Sequence, residues 1–308
     1  MVQTKLLPYG PAAIAEAARL IGEGLPVAIP TETVYGLAAD ATDGEAVARI
    51  YEAKGRPRFN PLIVHVRHLA QGDLFARFDD TARDLASRFW PGPLTLVLPL
   101  RRDAAIASLV TAGLSTIALR APSHPAMRDL LEACGKPLAA PSANASGRIS
   151  PTRVEHVLAS LGGRIPLIVD AGPTAHGLES TIVAVADGRI RLLRPGPVVL
   201  GLEIDRGGPV EAPGQLESHY APSKPLRLDV TRAEPDEWLI GFGAVAGDAS
   251  LSPSGGLVEA AAALFDRLHE AETRHRPRIA VAPIPAEGIG AAINDRLRRA
   301  AAATNGSV

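Results

Sequence analysis

The chain breaks its apolar residues into short blocks separated by glycine and proline, 29 and 27 of them in 308 residues. Proline removes a backbone donor and glycine weakens regular elements, so this punctuation favours many short strands and helices over a few long ones. Blocks with a helical apolar period fall at 11–22, 44–53, 81–90, 257–268 and 291–300. Compact apolar runs predict strands at 25–30, 62–66, 94–98, 117–119, 138–140, 165–170, 181–185, 190–193, 226–230, 238–242 and 278–283. Strands and helices mix without strict alternation, which predicts an α/β fold built on a mixed sheet with flanking helices. The Gly/Pro-rich stretch 201–225 reads as a linker before a smaller α/β unit. The predicted division is 1–203, a linker at 204–225, and 226–308.

Apolar residues make up 46% and charged residues 21%, enough to bury a core. The formal net charge of −1 argues against coating nucleic acid or an anionic membrane by bulk charge. The single cysteine, Cys134, excludes an intrachain disulfide and a thiolate metal cluster, and fits a reducing compartment. No apolar run approaches the ~18 residues of a membrane span. Residues 1–10 lack the basic-then-apolar order of a signal peptide, so the expected location is the cytoplasm.

Three segments concentrate polar chemistry. Lys54-Gly55-Arg56-Pro57-Arg58-Phe59-Asn60-Pro61 sets three cations on a stiff loop between a helix and a strand, an arrangement suited to phosphate oxygens. Taken alone it reads more readily as a solvated basic turn. Ser142, Asn144, Ser146 and Ser150 follow a short strand, where open α/β sheets place ligands, or they cap their own backbone. Thr31, Glu32 and Thr33 stand at another strand end. Arg120 and Arg194 each end an apolar strand, and His65 alternates with apolar neighbours inside one. P-loop, His-Glu-x-x-His, Cys-x-x-Cys and Gly-x-Ser-x-Gly patterns are missing. Gly241-Phe242-Gly243 follows a strand, but the next glycine, Gly247, is wrongly spaced for a dinucleotide loop.

Pro-Thr-Glu-Thr-Val-Tyr-Gly-Leu, Lys-x-Arg-Pro with Asn-Pro-Leu-Ile-Val-His, Trp-Pro-Gly-Pro-Leu-Thr, Ala-Pro-Ser-Ala-Asn, Glu-Ser-Thr-Ile-Val and Arg-Pro-Gly occur in that order. Over about residues 5–200 the chain thereby resembles the threonylcarbamoyl-AMP synthases of the YrdC-like domain family. Ser218-His219-Tyr220-Ala221-Pro222 and the C-terminal unit with Gly288-Ile289-Gly290 resemble the longer form, whose second domain is Rossmann-like.

The resemblance implies that L-threonine, bicarbonate and ATP yield threonylcarbamoyl-AMP, pyrophosphate and water, the first step of threonylcarbamoyladenosine formation in tRNA. It implies Lys54 and Arg56 as catalytic cations. With them Arg58, Asn60, Thr116, Ser142, Asn144, Ser150, Arg194 and the linker's Tyr220 hold ATP. Thr31, His65, Arg120, the backbone of Ala140 and Ser180 hold threonine. Mg²⁺ is expected on the triphosphate, without a nameable protein ligand. A downstream tRNA threonylcarbamoyl transferase is the expected partner, with direct RNA binding weak. The alternatives are a carbamoyl-transfer domain of the hydrogenase-maturation type and a non-catalytic double-stranded RNA-binding module. A single cysteine disfavours the first and the charge balance disfavours the second.

Overall fold

The computed structural model describes residues 2–57, 59–205, 207, 211–213, 215 and 220–305. Arg58, Ser218 and His219 lie outside the described residues. The first ten strands are β1 (Lys5–Pro8), β2 (Val27–Pro30), β3 (Tyr35–Asp40), β4 (Ile63–His65), β5 (Leu94–Pro99), β6 (Thr116–Arg120), β7 (Leu138–Ala139), β8 (Leu167–Asp170), β9 (Thr181–Ala186) and β10 (Arg189–Arg194). Between them run helices α1 (Pro11–Gly22), α2 (Gly44–Lys54), α3 (Leu69–Gly72), α4 (Asp80–Phe89), α5 (Ser108–Thr111), α6 (Pro125–Cys134) and α7 (Val154–Leu161). The C-terminal part holds β11 (Leu226–Arg227), β12 (Glu237–Gly241), β13 (Ala249–Ser250) and β14 (Arg278–Val281), with α8 (Leu257–Thr273) and α9 (Gly290–Asn305).

Strands β1 to β10 form one mixed sheet, ordered β1-β8-β2-β3-β7-β4-β6-β5-β9-β10. Strands β11 to β14 form a second, wholly parallel sheet in the order β11-β14-β12-β13. The alternation of side chains gives each strand of the large sheet two faces. One face packs Leu37, Val64, Leu96, Leu119 and Val183 with Val47 and Ile50 of α2, Leu85 of α4 and Val157 of α7. On the other, the β1–β7 half is covered by Ala17 and Ile21 of α1 and Met127 and Leu130 of α6. The remaining half carries only a small cluster, in which Ile63, Ala118 and Ile182 meet Ala212 of the connecting segment. That thinly covered half is where a site can open.

The two units share an apolar core: Val34, Ile149 and Leu178 pack with Tyr220 and with Phe265, Leu264 and Ile293 of the C-terminal helices. Gly177 lies against α8 so closely that a Cβ would collide with the carbonyl oxygen of Ala262, and its φ of 64° is left-handed. Among the described residues no helix is long and apolar enough to cross a membrane.

Several elements lacked a sequence expectation. Strand β3 is buried throughout and built of Gly and Ala as much as of large residues, so it shows no alternation. Helix α6 has legible ends: His124 Nδ1 accepts from the backbone N–H of Ala126, Pro125 opens the first turn and Gly135 closes it at φ 64°. The Gly241-Phe242-Gly243 segment makes tight turns, with Phe242 and Val245 exchanging backbone hydrogen bonds.

The interface also predicts a pH dependence. The rings of His156 on α7 and His269 on α8 stack at 3.7 Å and 15°. Arg153, Asp266 and Glu272 are the charged groups around them. Burial, then the neighbouring His269, lowers His156 to about 3, and burial lowers His269 as well. Burial also brings His65 down to about 3. The unfolded chain therefore binds more protons than the folded one below about pH 6.5. The stability these neutral rings contribute is complete above that pH and drains away as pH falls toward their folded values. Chemical denaturation should show a loss of up to about 1.4 kcal/mol per pH unit per histidine between pH 6.5 and 4.5, with a shallower slope in His156→Gln.

Candidate functional site

Helix α2 delivers the basic segment. Asp43 caps its start, accepting from the backbone N–H of Glu45 and Ala46 at 2.8 and 3.3 Å. Gly55 ends it in a left-handed turn at φ 59°. Lys54, in the last turn, points its Nζ into the loop after β7 and donates to the carbonyls of Ser142 and Asn144 at 2.6 and 2.5 Å. Arg56 donates through Nε and Nη2 to the carbonyls of Asn60 and Pro61 at 3.2 and 2.9 Å. The basic loop and the Ser142–Asn144 loop are thus one structure; burial of Lys54 and Arg56 sets aside the solvated-turn reading of the first, while the second does cap its own backbone. Asn144 Nδ2 donates to the carbonyls of Ala145 and Arg148, while its Oδ1 is buried without a hydrogen-bond partner. Both amide atoms of Asn60 are in the same condition.

A third cation comes from the far side. Alternation would send Arg194 to the same face as Leu192, into the large core. The β9–β10 ladder shifts register between those residues and turns Arg194 toward the thinly covered face. Its Nε and Nη2 bind the carbonyl and Oγ of Ser180 at 3.0 Å each, and Nη1 reaches the carbonyl of Pro213 in the connecting segment at 3.3 Å. Lys54, Arg56 and Arg194 are 3%, 7% and 3% exposed, and among the described residues none makes a salt bridge. Burial lowers all three pKa values, taking Arg56 to about 10. Buried cations supplied only with carbonyls and hydroxyls favour an arriving anion.

The opposite wall is set by strand register. Parallel pairing of β4 with β6 puts His65 beside Arg120. Arg120 donates through Nε to the Gly92 carbonyl at 3.2 Å and through Nη1 to Thr33 Oγ1 at 2.9 Å, and its Nη2 lies 2.7 Å from Glu32 Oε1. N–H bonds on both terminal nitrogens stay uncommitted, the fork a carboxylate accepts. Arg120 holds Glu32 down at about 2 against the opposing effect of its burial. Thr31 Oγ1 donates to the Val34 carbonyl at 2.7 Å. Ser180 Oγ lies 2.8 Å from Thr95 Oγ1. Both ring nitrogens of His65 are buried without hydrogen-bond partners, and the ring stays neutral at physiological pH.

These groups enclose a cavity of about 50 Å³. All five residues expected to hold threonine line it: Thr31, His65, Arg120, Ala140 and Ser180. Of those expected to hold ATP, Arg56, Ser142, Arg194 and Tyr220 line it. Lys54, Asn60 and Asn144 stand behind that wall. Ser150 does too, its Oγ donating to Glu179 Oε1 at 2.5 Å. Thr116 shares a strand face with Ala118 and Arg120 but does not reach the cavity. Thr33, Glu179 and Pro213 also line the cavity; Thr33 was read from the sequence only as a strand-end hydroxyl, and Glu179 and Pro213 were not singled out. The first two lie inside motifs already quoted, and Pro213 had no local signal.

Fold and cavity together define a YrdC-like α/β protein whose cavity sets Arg56 and Arg194 opposite Arg120, His65 and Thr31 beside a connecting segment. A profile of the Sua5/YciO/YrdC family, described as telomere recombination, matches residues 19–196. The profile of the C-terminal domain of threonylcarbamoyl-AMP synthase matches residues 180–302. The threonylcarbamoyl-AMP synthase of Bacillus subtilis is 42% identical over 322 residues, 94% of this chain and 92% of that one. The crystal structure of Pyrococcus abyssi Sua5 complexed with L-threonine superposes with a TM-score of 0.88 at 36% identity, covering 98% of each chain. A HypF structure shares the fold alone, with a TM-score of 0.53 at 21% identity over 61% of this chain and 30% of that one. The chain belongs to the threonylcarbamoyl-AMP synthase family, in its two-domain form.

Proposed function

We propose that the chain is a nucleotidyltransferase that converts L-threonine, bicarbonate and ATP into threonylcarbamoyl-AMP, pyrophosphate and water, the first step toward threonylcarbamoyladenosine in tRNA. The carrying observation is one cavity that brings the buried Arg56 and Arg194, with Lys54 behind them and none of the three in a salt bridge among the described residues, opposite a wall bearing Arg120, His65 and Thr31. Arg120 takes the threonine carboxylate through its free fork. Neutral His65 accepts from the amine. The amine attacks the one-carbon unit to give a carbamate, and the carbamate oxygen attacks the α-phosphorus as pyrophosphate leaves. Lys54, Arg56 and Arg194 face the charge that accumulates on the phosphates; positioning and neutralisation supply the rate.

Among the described residues no group of three or more His, Cys, Asp or Glu is placed to hold a metal ion. Glu179, the carboxylate on the cavity wall, is committed to Ser150 and Arg296. Among the described residues no carboxylate cage for Mg²⁺ is present, so the cation would be carried in on the phosphate oxygens of the nucleotide. Tyr220 and Pro213 line the cavity from the connecting segment, which suits exclusion of water from a hydrolysable mixed anhydride. The working division is a catalytic unit at 1–203, a covering linker at 204–225 and a C-terminal unit at 226–308. A cytoplasmic location and hand-over to a tRNA threonylcarbamoyl transferase complete the reading. A duplex-binding module fits less well, because the site cations are buried where a nucleic-acid backbone does not reach them.

Pyrophosphate release should require all three substrates, each omission reducing it to background. Release without threonine, or salt-sensitive RNA binding without release, overturns the reading.

A further inference from the structure

We infer that Arg296, from the second unit, is a positioning residue for the nucleotide half of the site and acts through Glu179. This rests on the reading above. Arg296 is 0% exposed on helix α9. Its Nε donates to Glu179 Oε2 at 2.8 Å and its Nη1 to Asp295 Oδ2 at 3.0 Å. Its guanidinium carbon stands 5.3 Å from the centroid of the Tyr220 ring. Glu179 lines the cavity, and its other oxygen accepts from Ser150. One arginine from the C-terminal unit therefore touches two groups of the site, a wall carboxylate and the tyrosine beside it, and through the carboxylate it is linked to the serine behind.

The chemistry explains why the contact matters. Glu179 is an anion on the wall of a cavity fitted for a polyanion. Unpaired, it repels phosphate. Paired with Arg296, its charge is balanced and both oxygens are fixed. The pair is buried, so little screening weakens it. The cation also lies against the face of Tyr220, a non-glycine residue at φ 65° whose conformation needs surrounding contacts to persist. Docking of the second unit and assembly of the ATP side of the site are thereby one event.

The test compares wild type with Arg296→Lys, Arg296→Met, the double variant Arg296→Met/Glu179→Gln, and Arg153→Met. Arg153 forms a more exposed interdomain ion pair with Asp266 at 2.6 Å and stands outside the site. ATP binding is measured by calorimetry without threonine, and KM for ATP and for threonine in the complete reaction. Arg296→Met should weaken ATP binding at least about thirty-fold while KM for threonine moves less than about three-fold, because one member of a buried pair has been removed. Arg296→Lys should fall between, as charge survives without the fork. The double variant, with no buried charge left uncompensated, should recover at least about ten-fold of the loss. Arg153→Met should change ATP binding less than about two-fold. Unchanged ATP binding in Arg296→Met, a double variant no better than the single, or equal losses for ATP and threonine overturns the inference. If wild type binds ATP but releases no threonine-dependent pyrophosphate, the proposed reaction falls while the calorimetric comparison still decides the role of Arg296.

Discussion

Lys54→Met abolishes most pyrophosphate release and leaves the chain folded. The expected loss in kcat/KM for ATP is about a thousand-fold or more, since a buried charge behind the proposed phosphate side of the site, and the tie that holds the Ser142–Asn144 loop, has been deleted. Stability should change by less than about 2 kcal/mol, because two effects oppose each other. Methionine relieves the burial of an ammonium that is 3% exposed, and it fills the aliphatic path of the lysine. Against that, two carbonyls lose their charged donor, although the Ser142 carbonyl keeps the backbone N–H of Asn144 at 3.0 Å. A pH signature separates this from simple damage. Burial, then the neighbouring Arg56, pushes the Lys54 pKa well down in the free protein. A bound triphosphate raises it again, so in the pH range where the free amine loses its proton, nucleotide binding takes up a proton and affinity falls as pH rises. Calorimetry in buffers of different ionisation enthalpy should show that uptake in wild type and its loss in Lys54→Met. A variant within ten-fold of wild-type activity, or unchanged proton uptake, removes Lys54 from the centre of the mechanism.

The same residues show which parts of the architecture a sequence exposes. Strand β5 was legible because Leu94-Thr95-Leu96-Val97-Leu98 is a β-rich run ended by Pro99. Strand β3 was not, because a strand buried on both faces and built of Gly36 and two alanines beside Tyr35 and Leu37 shows no alternation. The polar segments were legible as chemistry, since cations, amides and hydroxyls bunched between Gly and Pro leave few bland explanations once they recur in a fixed order. Their convergence was not. His65 meets Arg120 only because β4 pairs parallel with β6, a long-range choice of topology. Arg194 enters the site only through a register shift that no pattern of period two announces. Arg296 is 117 residues from Glu179 and sits in a helix whose composition is ordinary; only docking of two hydrophobic faces gives it a role.

Arg120→Lys should raise KM for threonine about a hundred-fold, near 2.7 kcal/mol, with ATP binding in the absence of threonine unchanged within about two-fold. The guanidinium spans three partners at once: the Gly92 carbonyl, Thr33 Oγ1 and the Glu32 carboxylate. An ammonium is a point charge on a flexible stem and cannot hold those three positions while offering a planar fork to a fourth group. In the buried site it collapses onto Glu32, the nearest anion, and the threonine carboxylate loses its partner. Discrimination is the sharper readout. Wild type should prefer L-threonine over its carboxamide by about a hundred-fold, because the amide lacks the charge that the fork neutralises. Arg120→Lys should compress that preference to within about ten-fold, the loss falling on threonine and hardly on the amide. Equal losses for both compounds mean that Arg120 only braces the fold beside Glu32, and the carboxylate must then be sought at another cation of the cavity. Selective loss for threonine fixes the amino acid's orientation: its carboxylate lies at the β4–β6 wall and its amine is directed toward the three cations that gather the phosphates, the alignment that carbamate attack on the α-phosphorus requires.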